Sequence, residues 1–145
     1  MITEDYVSFE IAELLKEKGF DGNTFYKYAD KEGVVEEWYN DYRERMVRFN
    51  WDYGTLITPP TEPQDKYRVY GDTIPAPSLA LATKWLREKY NLNVCFRPVK
   101  LPSKIEWRAY IFNKDCEPLP INAICGKIYE EACEAAIKYC LEKLI

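Results

Sequence analysis

Apolar positions along the chain fall into three helical stripes and several alternating runs. The clearest stripe is Leu79, Ala82, Leu86 and Tyr90, spaced i, i+3, i+7 and i+11, with Leu81 and Trp85 widening it. Lys84, Arg87, Glu88 and Lys89 supply its wet side. Pro75 and Pro77 hold the preceding residues out of the helical region, so this helix starts at about 78 and runs to about 90. Ser78 is a fitting N-cap, and the alternative is a cap at Ala76 with Pro77 in the first helical position. Asn91 suits a left-handed ending, with Leu92 folding back on Leu86.

A first helix is predicted over 4–18. Thr3 is its cap, Ile2 and Val7 form a hydrophobic staple, and Val7, Ile11, Leu14 and Leu15 form the buried stripe. Gly19 and Phe20 read as its Schellman-type stop. A last helix is predicted over 128–144, with Tyr129, Ala132, Cys133, Ala136, Cys140 and Leu144 facing inward. Glu130 and Glu131 suit its start, and Lys138 and Lys143 its end.

Between these helices, alternation predicts strands at 24–28, 92–97 and 105–112. The last two make a hairpin with a long proline-bearing connection, and residues 113–126 read as a loop. Residues 34–49 fit two patterns. Val34 and Val35 suit a return strand after the 30–33 turn signal, whereas Val35, Trp38, Tyr39, Tyr42, Met46 and Phe49 have helical spacing. Five of the nine prolines fall within 54–77, which predicts a long surface excursion with a short edge strand at 66–70. The expected fold is a single α+β domain over 1–145, an antiparallel sheet packed by three main helices.

Composition narrows the function classes. The chain has 145 residues, is 47% hydrophobic and carries a formal charge of −4, which suits a globular protein and disfavours general duplex binding. The acidic start has no basic leader region, and no apolar run reaches the ~20 residues needed to cross a bilayer, so no membrane role is expected. Five cysteines, at 95, 116, 125, 133 and 140, give an odd number with no C-x-x-C pair, which points to reduced thiols and a cytoplasmic setting, with no metal site.

Histidine is absent, which removes Ser-His-Asp and Cys-His nucleophiles and most catalytic zinc sites. Glycine-rich phosphate loops are absent too. No cofactor and no catalytic residue is therefore expected. The paired carboxylates Glu36-Glu37 and Glu130-Glu131 read as solvated or helix-end groups.

One stretch exceeds a plain core reading. Residues 38–53 hold six aromatics and three arginines, residue types enriched in interface hot spots and able to stack on unpaired bases. The candidate interaction residues are Trp38, Tyr42, Arg43, Arg45, Arg48, Trp51 and Tyr53. Asp41, Glu44 and Asp52 dilute their positive field, so a protein surface, of another protein or a second copy, is preferred over single-stranded nucleic acid.

Three segments carry a resemblance. They are Tyr6-Val7-Ser8-Phe9-Glu10-Ile11-Ala12-Glu13-Leu14-Leu15-Lys16-Glu17-Lys18-Gly19-Phe20, then Ala76-Pro77-Ser78 with Lys84-Trp85-Leu86-Arg87-Glu88, and Tyr129-Glu130-Glu131-Ala132-Cys133-Glu134-Ala135-Ala136-Ile137-Lys138-Tyr139-Cys140-Leu141. In these the chain resembles a set of small, uncharacterised proteins encoded by phages and mobile elements of gut anaerobic bacteria. The resemblance covers about a third of the chain and lies in the three helices. It implies a shared scaffold and a mobile-element setting, and it brings no activity with it. The function expected from sequence is a non-catalytic, cytoplasmic protein-interaction or accessory module, the alternative being a single-stranded nucleic-acid binder using residues 38–53.

Overall fold

The structure is a computed structural model that describes residues 5–22, 24, 27–29, 34–37, 56–57, 68–70 and 73–145. Within them lie three α-helices and a three-stranded antiparallel sheet, an α+β arrangement.

The chain enters as an extended segment. Val7 N–H donates to the Pro77 carbonyl at 3.0 Å, Leu79 N–H donates to the Asp5 carbonyl at 2.9 Å, and Tyr6 bridges Ser78. This pairing holds residues 5–7 extended, so the first helix (α1, Phe9–Glu17) begins well after the expected start at residue 4. Its cap is Ser8, whose hydroxyl accepts from Ile11 N–H. The Ser8 N–H in turn donates to the Glu134 carboxylate from the last helix, a capping box closed by a distant residue. Thr3 and Ile2, the expected cap and staple, lie outside the described residues. The ending is as expected: Gly19 has φ 81° and Phe20 N–H donates to the Leu15 carbonyl at 2.9 Å.

The central helix (α2, Leu79–Tyr90) takes the Ser78 cap, whose hydroxyl accepts from Leu81 N–H at 3.1 Å. Asn91 ends it in the left-handed region at φ 56°, and Leu92 N–H reaches the Leu86 carbonyl at 3.3 Å. Four short strands precede α2: β1 (Lys27–Ala29), β2 (Val34–Glu37), β3 (Leu56–Ile57) and β4 (Arg68–Tyr70), and β5 (Thr73–Pro75) leads into it. β1 lies between β3 and β5, and β2 pairs with β4. The return strand at 34–35 is thus present but pairs with β4, not β1. The remainder of the ambiguous stretch, 38–49, lies outside the described residues. The edge strand expected at 66–70 is present as β4, and β3 and β5 add further short strands within 54–77. β3, β4 and β5 are short, β3 and β5 flank their sheet, and Pro75 occupies the last position of β5, where a missing N–H is tolerated.

After α2 come β6 (Asn93–Lys100), β7 (Ile105–Phe112) and β8 (Ile124–Gly126), in spatial order β6-β7-β8. The hairpin is longer, and its connection shorter, than the prolines suggested. Pro98 pairs opposite Trp107 inside β6, an edge strand, which is where a sheet accepts proline. β8 was not expected. It has three residues, follows Pro118 and Pro120, and sets Ile124 opposite Ala109.

The last helix (α3, Tyr129–Tyr139) passes into a π-helical turn over Cys140–Leu144. α2 and α3 cover one face of this sheet, while α1 packs on α3 and β5 rather than on the sheet itself. Lys138 joins α3 to α1 through Glu10 at 2.7 Å. Val7, Ile11, Leu15, Leu86, Ile111, Ile137 and Leu141 are buried between these layers. Trp85 sits at the core margin, its ring 5.5 Å from Phe20 and 5.2 Å from Tyr90, with Nε1 donating to Asp21 at 3.0 Å.

Candidate interaction surface

The seven residues singled out in sequence, Trp38, Tyr42, Arg43, Arg45, Arg48, Trp51 and Tyr53, all lie outside the described residues. A different apolar surface emerges at the hairpin end of the main sheet.

Strand alternation puts Val94, Phe96, Pro98 and Lys100 of β6 on the same face as Ile105, Trp107, Ala109 and Ile111 of β7. The helices seal the Val94–Ile111 end, where Ala109 and Ile111 are buried. α3 begins only at Tyr129, so the hairpin end continues the apolar face beyond its cover. Tyr129 lies against both strands there, 4.7 Å from the Phe96 ring and 5.3 Å, edge-on, from Trp107. Burial against these rings, with smaller contributions from Cys133 and Glu130, raises the Tyr129 phenol above its ordinary range. Among the described residues the large apolar side chains left exposed are Ile105 (61%), Ile128 (52%) and Tyr129 (40%). Trp107 opposes Gly126 in the β7–β8 register, and the chain then bends through Lys127 and Ile128 into α3.

Gly126 is what permits this arrangement. A Cβ built there would stand 2.4 Å from the backbone nitrogen of Ala132, so only glycine lets the first turn of α3 lie directly on β8. Ile128 caps α3 with no side-chain hydrogen bond, and the Lys127 N–H donates instead to the Glu131 carboxylate at 2.9 Å.

Charge flanks the strip. Lys100 pairs opposite Ile105 on this face, whereas Lys104 lies toward Glu106 on the opposite face. On the other side of Tyr129 opens a shallow cleft of about 160 Å³, lined by Asp5, Leu79, Ala80, Thr83, Tyr129, Glu130 and Cys133. It adjoins a second depression of about 210 Å³ that includes Glu131 and Glu134. The hairpin over 93–112 holds four cations (Arg97, Lys100, Lys104, Arg108) against one carboxylate (Glu106), a net of +3 in a chain of −4.

On the opposite face of the sheet Arg97 stands across from Arg108, whose Nε donates to Glu106 at 2.9 Å. That hydrogen bond and charge hold the Glu106 carboxyl below its usual range.

Burial pushes the Cys133 and Cys140 thiols up to about 12, so neither forms a nucleophilic thiolate near neutrality. Cys95, Cys116 and Cys125 are exposed and free. Among the described residues no group of three or more cysteine, aspartate or glutamate side chains is placed to hold a metal ion, and no helix is long and apolar enough to cross a membrane.

No protein-family model, curated protein or solved structure matches this chain. Sequence reasoning assigned Tyr129 to an inward helix face and so missed the strip. The available signal was length: an eight-residue hairpin strand outruns the sheet face that one short following helix covers.

Proposed function

We propose that this chain is a non-catalytic protein-interaction module, and that it docks through the strip formed by Phe96, Ile105, Trp107 and Tyr129. What carries the reading is convergence: two of the large exposed apolar side chains, Ile105 and Tyr129, share one sheet face with the rings of Phe96 and Trp107. Isolated exposed apolar residues are ordinary, whereas contiguous ones rimmed by charge mark contact surfaces. Tryptophan and tyrosine are also the residues that most often carry interface energy. The resemblance to phage and mobile-element proteins favours an accessory role in that setting, and the five cysteines without paired spacing favour a cytoplasmic one.

Capture with the full chain as bait tests this, comparing wild type with Ile105→Asp. A charge placed at the centre of an apolar contact is expected to lower recovery of a specific partner at least about tenfold, equivalent to about 1.4 kcal/mol. Equal recovery of the same partners by both baits removes the strip as the docking surface. Thermal melting of both baits controls for folding.

A further inference from the structure

We infer that the open face of the main sheet binds a phosphoryl dianion, free or as a phosphate monoester, between Arg97 and Arg108. The site is independent of the docking strip, which lies on the other face.

Its geometry follows from the hairpin register. The Leu101 N–H donates to the Lys104 carbonyl at 2.8 Å across the turn, which makes these two a hydrogen-bonded pair. Such pairs recur at every second position of an antiparallel ladder, here Val99 with Glu106 and Arg97 with Arg108. Their Cα atoms stand about 5.5 Å apart, and their side chains leave the sheet on the same side. Two guanidinium groups therefore rise side by side. α2 and α3 lie against the other face, where Ala109 and Ile111 are buried.

Like charges directly opposite one another on adjacent strands destabilise a sheet. The chain relieves only one of the two. Glu106 accepts from Arg108 Nε at 2.9 Å, and its side chain is 19% exposed, so this arginine is held in place. Tyr110, on the same face, adds a hydrogen bond to Arg108. A guanidinium has five N–H donors, so Arg108 keeps N–H groups for a further acceptor. Arg97 is exposed and makes no salt bridge among the described residues. Lys104 lies toward Glu106 and adds its charge to this face.

Arg97, Lys104 and Arg108 against Glu106 leave a net of +2 here, in a chain of −4. A phosphoryl group carries about −1.5 to −2 at neutral pH and has three acceptor oxygens, so it matches the charge and reaches both guanidinium forks. A carboxylate brings one charge and two oxygens, and it leaves a positive excess. Because Glu106 already fixes Arg108, less side-chain freedom is lost when the anion binds. Cys125 pairs with Arg108 from β8 and is exposed, which sets a thiol beside the site as a reporter.

Amide shifts of the isotope-labelled full chain are followed while inorganic phosphate, O-phosphoserine or acetate is added at constant ionic strength. Saturable shifts are expected at Arg97, Arg108 and Cys125, with a dissociation constant of about 1 mM or tighter for the phosphoryl compounds and at least about tenfold weaker for acetate. Arg97→Gln is expected to weaken phosphate binding at least about tenfold, and Lys114→Gln, an exposed charge in the 113–123 loop, to leave it within about twofold. Saturating phosphate should also slow alkylation of Cys125 relative to Cys116. Tighter binding of O-phosphoserine identifies an ester as the ligand, and equal binding shows that the phosphoryl group alone is recognised.

No saturation by about 20 mM phosphate overturns the inference, as do shifts confined to other residues, acetate binding as tightly as phosphate, or an unchanged affinity in Arg97→Gln. If Arg97→Gln melts below wild type, Arg97→Lys replaces it. That variant keeps the charge and removes the fork, so a loss of at least about threefold is expected, and none at all overturns the inference.

Discussion

Replacing Trp85 by alanine probes the core where its contacts are best defined. The side chain is 7% exposed and lies between Phe20 and Tyr90. A buried tryptophan removes about 150–250 Å² from water, which at about 25 cal/mol per Å² is about 4–6 kcal/mol. The denatured chain already hides about 10–40% of that area, leaving about 3–5 kcal/mol, the range seen when large buried aromatics are truncated. Loss of the Nε1 hydrogen bond adds little, because its acceptor Asp21 has a side chain 74% exposed and is resolvated. Lys89, over the ring at 5.5 Å and itself 43% exposed, adds a fraction of a kilocalorie at most.

Urea unfolding followed by circular dichroism measures the change. A loss below about 1 kcal/mol, typical of surface positions, would refute the packing argument. Asp21→Ala provides the internal comparison: it keeps the ring and removes only the hydrogen bond and its exposed ion pair, so about 0.5–1.5 kcal/mol is expected.

Gly126→Ala is expected to cost about 1–3 kcal/mol and to disturb Tyr129, since the added methyl meets the Ala132 backbone; urea unfolding with an unchanged midpoint contradicts the close approach. Thiol titration of the native protein at mild alkaline pH should find Cys95, Cys116 and Cys125 reactive and Cys133 and Cys140 slow, all five reacting once unfolded; fast modification of all five before unfolding contradicts the burial. Because burial raises both buried thiols from an ordinary 9.0 to about 12, the folded state holds protons that the unfolded chain releases. The stability they contribute is full below pH 9.0 and is lost as pH rises toward about 12, by at most about 1.4 kcal/mol per unit for each thiol. Unfolding measured from pH 8 upward should therefore show a steeper alkaline loss in wild type than in Cys140→Ala, and parallel slopes would contradict it. Asn91→Gly should be neutral or mildly stabilising at φ 56°, whereas Asn91→Ala should cost about 1 kcal/mol; thermal melting separates the two.

The parts legible in sequence were those decided by local chemistry. Ser78, Asn91, Gly19 and Phe20 each act through a hydrogen bond or a backbone angle spanning no more than six residues, and each takes the role its type and position indicated. The start of α1 was misread because the Val7–Pro77 and Leu79–Asp5 hydrogen bonds join segments some seventy residues apart, and no local pattern announces them. Ser8 displaced the expected cap for the same reason, aided by Glu134 from the far end of the chain. β8 was missed because three residues after two prolines carry too little alternation to register as a strand. The interaction strip was hidden more deeply. Trp107 and Tyr129 have the pattern of core residues, and only the extent of the helices decides that they stand at its open edge.

The central claim is that this open edge is a contact surface. Its most direct measurement places a photo-crosslinking amino acid at position 105, and separately at position 97 on the opposite face of the sheet, in the full chain expressed in its host. Adducts identified by mass should form from position 105, and their yield should fall when Tyr129 is also replaced by alanine. Position 97 should give no more than background. Equal yields from the two faces, or none from position 105, would contradict the account.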